Sequence, residues 1–187
     1  MLNFNLTKAQ LAIQKEARTF AIENVLPEAF YYDTNDETPV HILKKAFELG
    51  LSHSDIPVQY GGKGFGIIEG CIISEEISAA CPGMATSIFD NSLGMEPLIL
   101  SSNESLKKKY LSLFAKEFKL ISFATSEPTV GSDVSAIRCI AKPDGKDYIL
   151  NGTKYWVTNG GIADYYSIFA TVDPETKHEG ICAFFVD

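Results

Sequence analysis

The sequence has little of what metal sites and hydrolase active sites need. Its 187 residues include only four cysteines and three histidines, which are scattered. No Cys-x-x-Cys pair occurs, and no histidine belongs to an HExxH motif, so neither a zinc site nor a disulfide framework is indicated. A catalytic triad has no basis in this sequence either. We expect the cysteines to be free thiols that are buried or half-buried: Cys71, Cys81, Cys139 and Cys182.

Basic residues are also scarce, since 16 Lys and Arg stand against 24 Asp and Glu, for a formal net charge of −8. The only cationic run, Lys107–Lys109, is short, so we expect no nucleic-acid partner. No apolar stretch approaches the length of a membrane span, and MLNFNLTKAQ lacks the basic start and apolar core of a secretion signal. The sequence therefore predicts no membrane partner and a cytoplasmic location, or the mitochondrial matrix in a eukaryote.

The first two thirds of the chain show mainly helical patterns of apolar residues. Thr7 and Gln10 have the spacing of a capping box, and Asn103 is a typical helix N-cap. The glycine-rich segment 56–66 does not match the GxGxxG spacing of a dinucleotide-binding turn, so it is interpreted as a loop between helices.

Near residue 118 the pattern changes from helical to strand-like. This change predicts an α+β protein with an all-α N-terminal domain at 1–120 and a small β-sandwich or β-barrel domain at 121–187. The last predicted strand runs to the chain end as an exposed edge, from which we expect the chain to be truncated. The predicted strands are KLISFAT, AIRCIAK, DYILNG, TKYWVTNG, DYYSIFATVD and GICAFFVD.

The stretch SEPTVGSDVSAIR, from Ser126 to Arg138, follows a strand with a proline, a glycine and several hydroxyls. Backbone amides and serines in such a turn can bind a phosphate without a cationic side chain. The alternative is that Glu127, Ser132 and Asp133 only cap local amides.

A second feature is the segment KYWVTNGG, which places the only tryptophan in a predicted strand. Trp156 and Thr158 are two residues apart, so they should lie on one face of that strand. An aromatic ring beside a hydroxyl suits a flat heteroaromatic ligand. The alternative is a core tryptophan of a β-sandwich.

Taken together, ATSEPTVGSDVSAIR and ILNGTKYWVTNGG resemble the flavin-binding middle domain of the acyl-CoA dehydrogenase family. The upstream segments LTKAQ, IPVQYGGKGFG, ISEEIS, NSLG and KKKYL fit as well. The resemblance covers essentially the whole chain and is strongest to the straight-chain fatty acyl-CoA members. It implies FAD-dependent dehydrogenation of an acyl-CoA thioester to a trans-2-enoyl-CoA.

The resemblance also implies roles for individual residues. Ser126 should donate toward N1 and O2 of the flavin, Trp156 should pack against the ring, and Thr158 should bond near N5 and O4. Gly131 and Ser132 should approach the pyrophosphate, with Ser132 also facing the acyl-CoA. The implied FAD contacts are Phe123, Ala124, Thr125, Ser126, Gly131, Ser132, Trp156, Val157 and Thr158.

Family members continue into a C-terminal four-helix domain that supplies the catalytic glutamate in most straight-chain enzymes and the tetramer core. The resemblance therefore places no catalytic residue in this chain, and Glu127 is expected to be a structural acid of the loop. We expect this piece to be inactive alone and to hold FAD poorly. The expected partners are acyl-CoA, an electron-transferring flavoprotein as electron acceptor and, at full length, further copies in a homodimer or homotetramer.

Some residues depart from the family pattern, which usually has threonine at Ser126, an aliphatic residue at Thr125 and small residues at Thr129 and Val130. We expect the β-branched Val130 to restrict the phosphate turn and to crowd the cofactor's approach. Two alternatives remain open. One is a flavin oxidase or oxygenase of the same fold, or a dehydrogenase of carrier-protein thioesters. The other is a non-catalytic paralogue that serves as a binding module.

Overall fold

The computed structural model describes residues 4–187, and the first three residues of the predicted helical domain lie outside the described part. Helices precede strands along the chain, so the predicted α+β class is confirmed. The helices are α1 (Lys8–Phe20), α2 (Ala29–Asn35), α3 (Val40–Glu48), α4 (Ile67–Ala80), α5 (Pro82–Leu100) and α6 (Glu104–Phe114). The strands are β1 (Ile121–Ala124), β2 (Ile140–Asp144), β3 (Asp147–Asn151), β4 (Tyr165–Thr171) and β5 (Ile181–Val186).

Helix α1 starts where its capping residues predict. The Gln10 main-chain amide donates to the Thr7 hydroxyl at 3.2 Å, and the Thr7 amide donates to the Gln10 side chain at 2.9 Å. The helix packs against α4 and buries Ala17 and Phe20. The Asn103 side chain caps α6 in the same way, accepting from an amide of the first turn. Both N-cap predictions are confirmed.

The chain divides into two compact units. The first comprises the residues up to Ser92 together with Asn103–Phe118, and it holds the helices up to α4, most of α5, and α6. The second comprises Leu93–Ser102 and Lys119–Asp187, and it holds the sheet. The segment 56–66 lies in the first unit as a loop with one short 3-10 turn, as its glycines predict.

The second unit is built on a mixed sheet whose central strand is β4. β1 lies parallel to the start of β4, and β5 lies antiparallel to most of it. β2 joins the far end of β4 through Ile140 and Thr171 and forms a hairpin with β3. The hairpin turns at Gly145, whose φ of +62° suits glycine. Apolar side chains of β2 and β4 and of the loop before β2 form the buried cluster Val130, Ile137, Cys139, Ala141 and Ala170.

Four free cysteines lie in the described part of the chain. Cys139 is buried and Cys81 is half-buried, as expected. Cys71 and Cys182 are exposed, so the expectation of burial was wrong for these two. Among residues 4–187 we find no helix that is both long and apolar enough to span a bilayer.

Candidate functional site

The loop that follows β1 begins with a tight turn. The Glu127 amide donates to the Val130 carbonyl at 2.9 Å, and the Val130 amide donates back to the Glu127 carbonyl at 3.1 Å. Pro128 occupies the second position of this turn, where its fixed φ is favourable. Main-chain bonds close the turn, and the residues after it, Gly131 and Ser132, are exposed on the surface of the second unit.

Glu127 connects this turn to two other segments. Its side chain is 4% exposed and accepts hydrogen bonds from the amides of Arg138 at 2.8 Å and Cys139 at 2.9 Å. The Lys154 ammonium group donates to the same carboxylate at 2.9 Å and to the Thr125 carbonyl at 2.9 Å. The alternative reading, that this acid caps amides, is therefore correct for Glu127.

The charge of Glu127 is stabilised by these contacts. Burial is the largest single influence and would raise the pKa of Glu127. Hydrogen bonds from Lys154 and from the amides of Arg138 and Cys139 together outweigh it and lower the pKa below the ordinary value. The carboxylate is thus held ionised and fully engaged, which suits a structural acid better than a proton acceptor.

The segment with the tryptophan is a loop, so its prediction as a strand was wrong. Trp156 has a φ of +57°, a left-handed conformation that interrupts any extended run. A turn follows at Thr158–Gly161, where the Gly160 amide donates to the Val157 carbonyl at 3.0 Å. Because no strand forms there, the expectation that Trp156 and Thr158 share one strand face was also wrong.

The loop nevertheless lies beside the end of β1. The Tyr155 amide donates to the Ser126 carbonyl at 2.9 Å. The Ser122 hydroxyl donates to the Thr158 carbonyl at 2.7 Å. The two segments singled out in the sequence are therefore neighbours, and main-chain and side-chain bonds on both sides of Trp156 hold them together.

The remaining residues implied as FAD contacts differ in how deeply they are buried. Phe123 is half-buried, with its ring 4.8 Å from that of Phe169 between centroids. Ala124 is buried, so its methyl group is directed away from solvent. Val157 and Ser126 are half-buried.

Val130 does not crowd the outside of the loop. The residue is 4% exposed and belongs to the buried cluster with Ile137 and Cys139. The expectation that this residue would obstruct an approaching ligand was therefore wrong. Its β-branched side chain is accommodated because it packs inward against the sheet.

Two features of the site fit a bound group, and a third side-chain atom is left without a partner. Trp156 is 84% exposed, although its left-handed backbone costs on the order of 1 kcal/mol. A Cβ atom added at Gly131 would meet nothing within 4 Å, so the chain's own packing does not require glycine there. The Thr125 hydroxyl is buried and has no hydrogen-bond partner within residues 4–187. An aromatic ligand with a phosphate would use the exposed indole and the open space beside Gly131.

Sequence reasoning missed the role of Lys154. The residue is 27 positions away from Glu127, and its only sequence signal is a lone cation ahead of an aromatic run. Which acid it pairs with becomes clear only once the chain has folded.

Comparison with known families agrees with the site. The model for the acyl-CoA dehydrogenase N-terminal domain matches residues 7–117, and the model for the acyl-CoA dehydrogenase middle domain matches residues 122–187. The chain belongs to the acyl-CoA dehydrogenase family. The resemblance found in its motifs is confirmed.

Individual relatives and solved structures that are similar to this chain are also acyl-CoA dehydrogenases. An acyl-CoA dehydrogenase of Bacillus subtilis is 37% identical over 98% of this chain and 48% of its own length. The structure of butyryl-CoA dehydrogenase from Megasphaera elsdenii is 29% identical with a TM-score of 0.92, over 100% of this chain and 50% of that one. That of a Bacillus anthracis acyl-CoA dehydrogenase complexed with FAD is 34% identical with a TM-score of 0.86, over 100% of this chain and 32% of that one. The chain thus spans about half the length of the curated relatives it matches.

Proposed function

We propose that this chain is the N-terminal part of a FAD-dependent acyl-CoA dehydrogenase that forms trans-2-enoyl-CoA. The observation that carries the proposal is the joining of the Ser126 loop to the Trp156 loop, which leaves the indole exposed beside the end of β1. Membership of the acyl-CoA dehydrogenase family supports the reaction class.

In this proposal the flavin ring binds at the end of β1. FAD, when bound, supplies the acceptor for the hydride that leaves the β carbon of the acyl chain. Ser126 donates a hydrogen bond to the pyrimidine edge of the ring, where it stabilises the charge that develops on reduction. Trp156 packs against the ring and Thr158 bonds to its polar edge. The neighbouring contacts come from Phe123, Ala124, Thr125 and Val157.

The diphosphate end of FAD binds at the exposed part of the same loop. Gly131 lets the main chain approach the pyrophosphate closely, because it has no side chain and nothing lies within 4 Å of the position that a Cβ would take. Ser132 donates to the phosphate oxygens and also faces the acyl-CoA. Neither residue takes part in the two main-chain hydrogen bonds between Glu127 and Val130 that close the turn.

The α-proton acceptor is proposed to lie outside this chain. Glu127 is unsuited to the role, because its carboxylate is buried and already accepts from Lys154 and from the amides of Arg138 and Cys139. The proposal further includes an electron-transferring flavoprotein as acceptor and a homodimer or homotetramer as the assembled form. Fatty acid β-oxidation in the cytoplasm or the mitochondrial matrix is the proposed setting.

Flavin binding and reduction test the proposal in two steps. The purified chain is titrated with FAD into the millimolar range, and quenching of flavin fluorescence should report saturable, weak binding. The full-length protein is then titrated anaerobically with acyl-CoA thioesters of graded length, which should bleach the flavin absorbance. Failure of both preparations to bind FAD would support the binding-module alternative. Bleaching followed by rapid reoxidation with air and release of peroxide would support the oxidase.

A further inference from the structure

Strand β1 carries one hydroxyl in an otherwise apolar run. Ser122 lies between Ile121 and Phe123 and is 0% exposed. A hydroxyl buried in such surroundings costs free energy unless it is hydrogen-bonded. The Ser122 hydroxyl donates to the Thr158 carbonyl at 2.7 Å, so the cost of its burial is offset by a bond to a residue 36 positions away.

The loop that carries the exposed indole runs back along β1 and is bonded to it or to its flanking residues at both ends and in the middle. At one end the Tyr155 amide donates to the Ser126 carbonyl at 2.9 Å, and at the other the Asp164 amide donates to the Leu120 carbonyl at 2.8 Å. These end bonds join main-chain groups. The middle bond comes from the Ser122 side chain, so a single substitution can remove it.

The middle of this loop contains two residues with an unfavourable backbone. Trp156 has a φ of +57° and Asn159 a φ of +58°. A left-handed conformation costs a residue other than glycine on the order of 1 kcal/mol, and it persists where the surrounding structure holds it. Thr158 lies between the two, so the bond from Ser122 acts at the point where the loop most needs to be held.

We infer that Ser122 is a positioning residue of the cofactor site, which holds the Thr158 main chain so that Trp156 and Thr158 meet the flavin ring together. The inference rests on the proposed function and adds a residue outside the proposed set of FAD contacts. Because Ser122 is fully buried, it acts through Thr158 and does not touch the cofactor.

Ser122→Ala removes the hydroxyl and leaves the rest of the side chain in place. Ser167 on the neighbouring strand β4 offers a matched control, since it is 1% exposed and its hydroxyl donates to the Gly94 carbonyl at 2.6 Å. Ser122→Ala and Ser167→Ala each lose one buried hydrogen bond to a main-chain carbonyl, so both should lower Tm by about 2–4 °C. Of the two, Ser122→Ala alone releases the loop that carries Trp156.

Two measurements follow the loop and the cofactor separately. Trp156 is the only tryptophan of the sequence, so the fluorescence anisotropy decay of the flavin-free protein reports on the motion of its loop. We expect a larger fast component in Ser122→Ala and an unchanged decay in Ser167→Ala. In titrations with FAD, Ser122→Ala should raise the dissociation constant about fivefold, which corresponds to about 1 kcal/mol. Ser167→Ala should leave the dissociation constant unchanged.

These measurements separate the inference from the proposed function. Absence of FAD binding by the wild-type protein would overturn the proposed function and the inference with it. Wild-type binding with equal FAD dissociation constants for the two variants would overturn the inference alone, since Ser122 would then serve only the fold. An unchanged Trp156 anisotropy decay in Ser122→Ala would also overturn the inference, because the bond from Ser122 would not be what holds the loop.

Discussion

Removing the charge of Glu127 should destabilise the second unit more than any other single side-chain change in the site. Glu127→Gln preserves the shape of the side chain but turns one of its acceptor oxygens into a donor. In the structure three donors converge on this carboxylate: the Lys154 ammonium group and the amides of Arg138 and Cys139, at 2.8–2.9 Å. At least one of them must lose its partner, whichever way the new amide is oriented.

The expected loss of unfolding free energy is large because the ion pair is buried. The side chains of Glu127 and Lys154 are 4% and 10% exposed, so water cannot replace the lost partner. Breaking a buried ion pair from one side typically costs about 3–5 kcal/mol. We expect Glu127→Gln to lower the free energy of unfolding by about 3 kcal/mol. Lys154→Met should cost less, about 2 kcal/mol, because the Arg138 and Cys139 amides still pair with the carboxylate.

The direction in which stability changes with pH follows from the direction of the Glu127 pKa shift. Hydrogen bonding lowers the pKa of Glu127 in the folded chain below its ordinary value of 4.5, even though burial opposes this. The ionised group therefore contributes stability above pH 4.5 that is lost as the pH falls through the lower, folded-state pKa. Glu127→Gln lacks this contribution, so the gap in stability between the two proteins should narrow below pH 4.5.

Urea unfolding at several pH values measures the free energy of unfolding of four proteins: the wild type, the two single variants and the double variant. The two changes should be strongly non-additive, with a coupling energy of about 2 kcal/mol. Additive effects, or a loss below about 1 kcal/mol for Glu127→Gln, would refute the argument that the pair is buried and mutually dependent. A gap that widens in acid would refute the assigned direction of the pKa shift.

Two further changes probe single positions. Gly131→Ala should leave Tm unchanged, since the added Cβ meets nothing within 4 Å, but it should raise the FAD dissociation constant about tenfold. Gly70→Ala on α4 is the matched control: its added Cβ is equally unobstructed, and it should leave the FAD dissociation constant unchanged. Equal constants for both variants would count against the phosphate contact. Burial raises the pKa of Asp55, although the hydrogen bond from Ser92 opposes this. The folded protein therefore loses stability as the pH rises through the folded-state pKa of Asp55, because the buried carboxyl group becomes ionised. Asp55→Asn should therefore raise Tm at pH 7 more than in acid, and a lower Tm at pH 7 would contradict this.

Much of the fold could be read from short-range patterns. The capping box of Thr7 and Gln10 marks the start of α1, because it depends only on residues three positions apart. The turn at Gly145 joins β2 to β3 for a similar reason, since glycine favours its positive φ. The adjacency of the Ser126 and Trp156 segments came instead from resemblance to a family, and the hydrogen bonds between them now account for it physically.

The tertiary structure decided what local patterns could not. The sequence by itself determined the order of helices and strands, since propensity and apolar spacing act over a few residues. It predicted a strand at Trp156, but contacts to Ser122 and Ser126 hold that segment as a loop. It suggested that Val130 would obstruct the site, but that side chain packs inward. Long-range packing decides which distant charges pair and which way a side chain faces. The reason is that the free energy of burying a group depends on its neighbours, and only the folded chain brings those neighbours together.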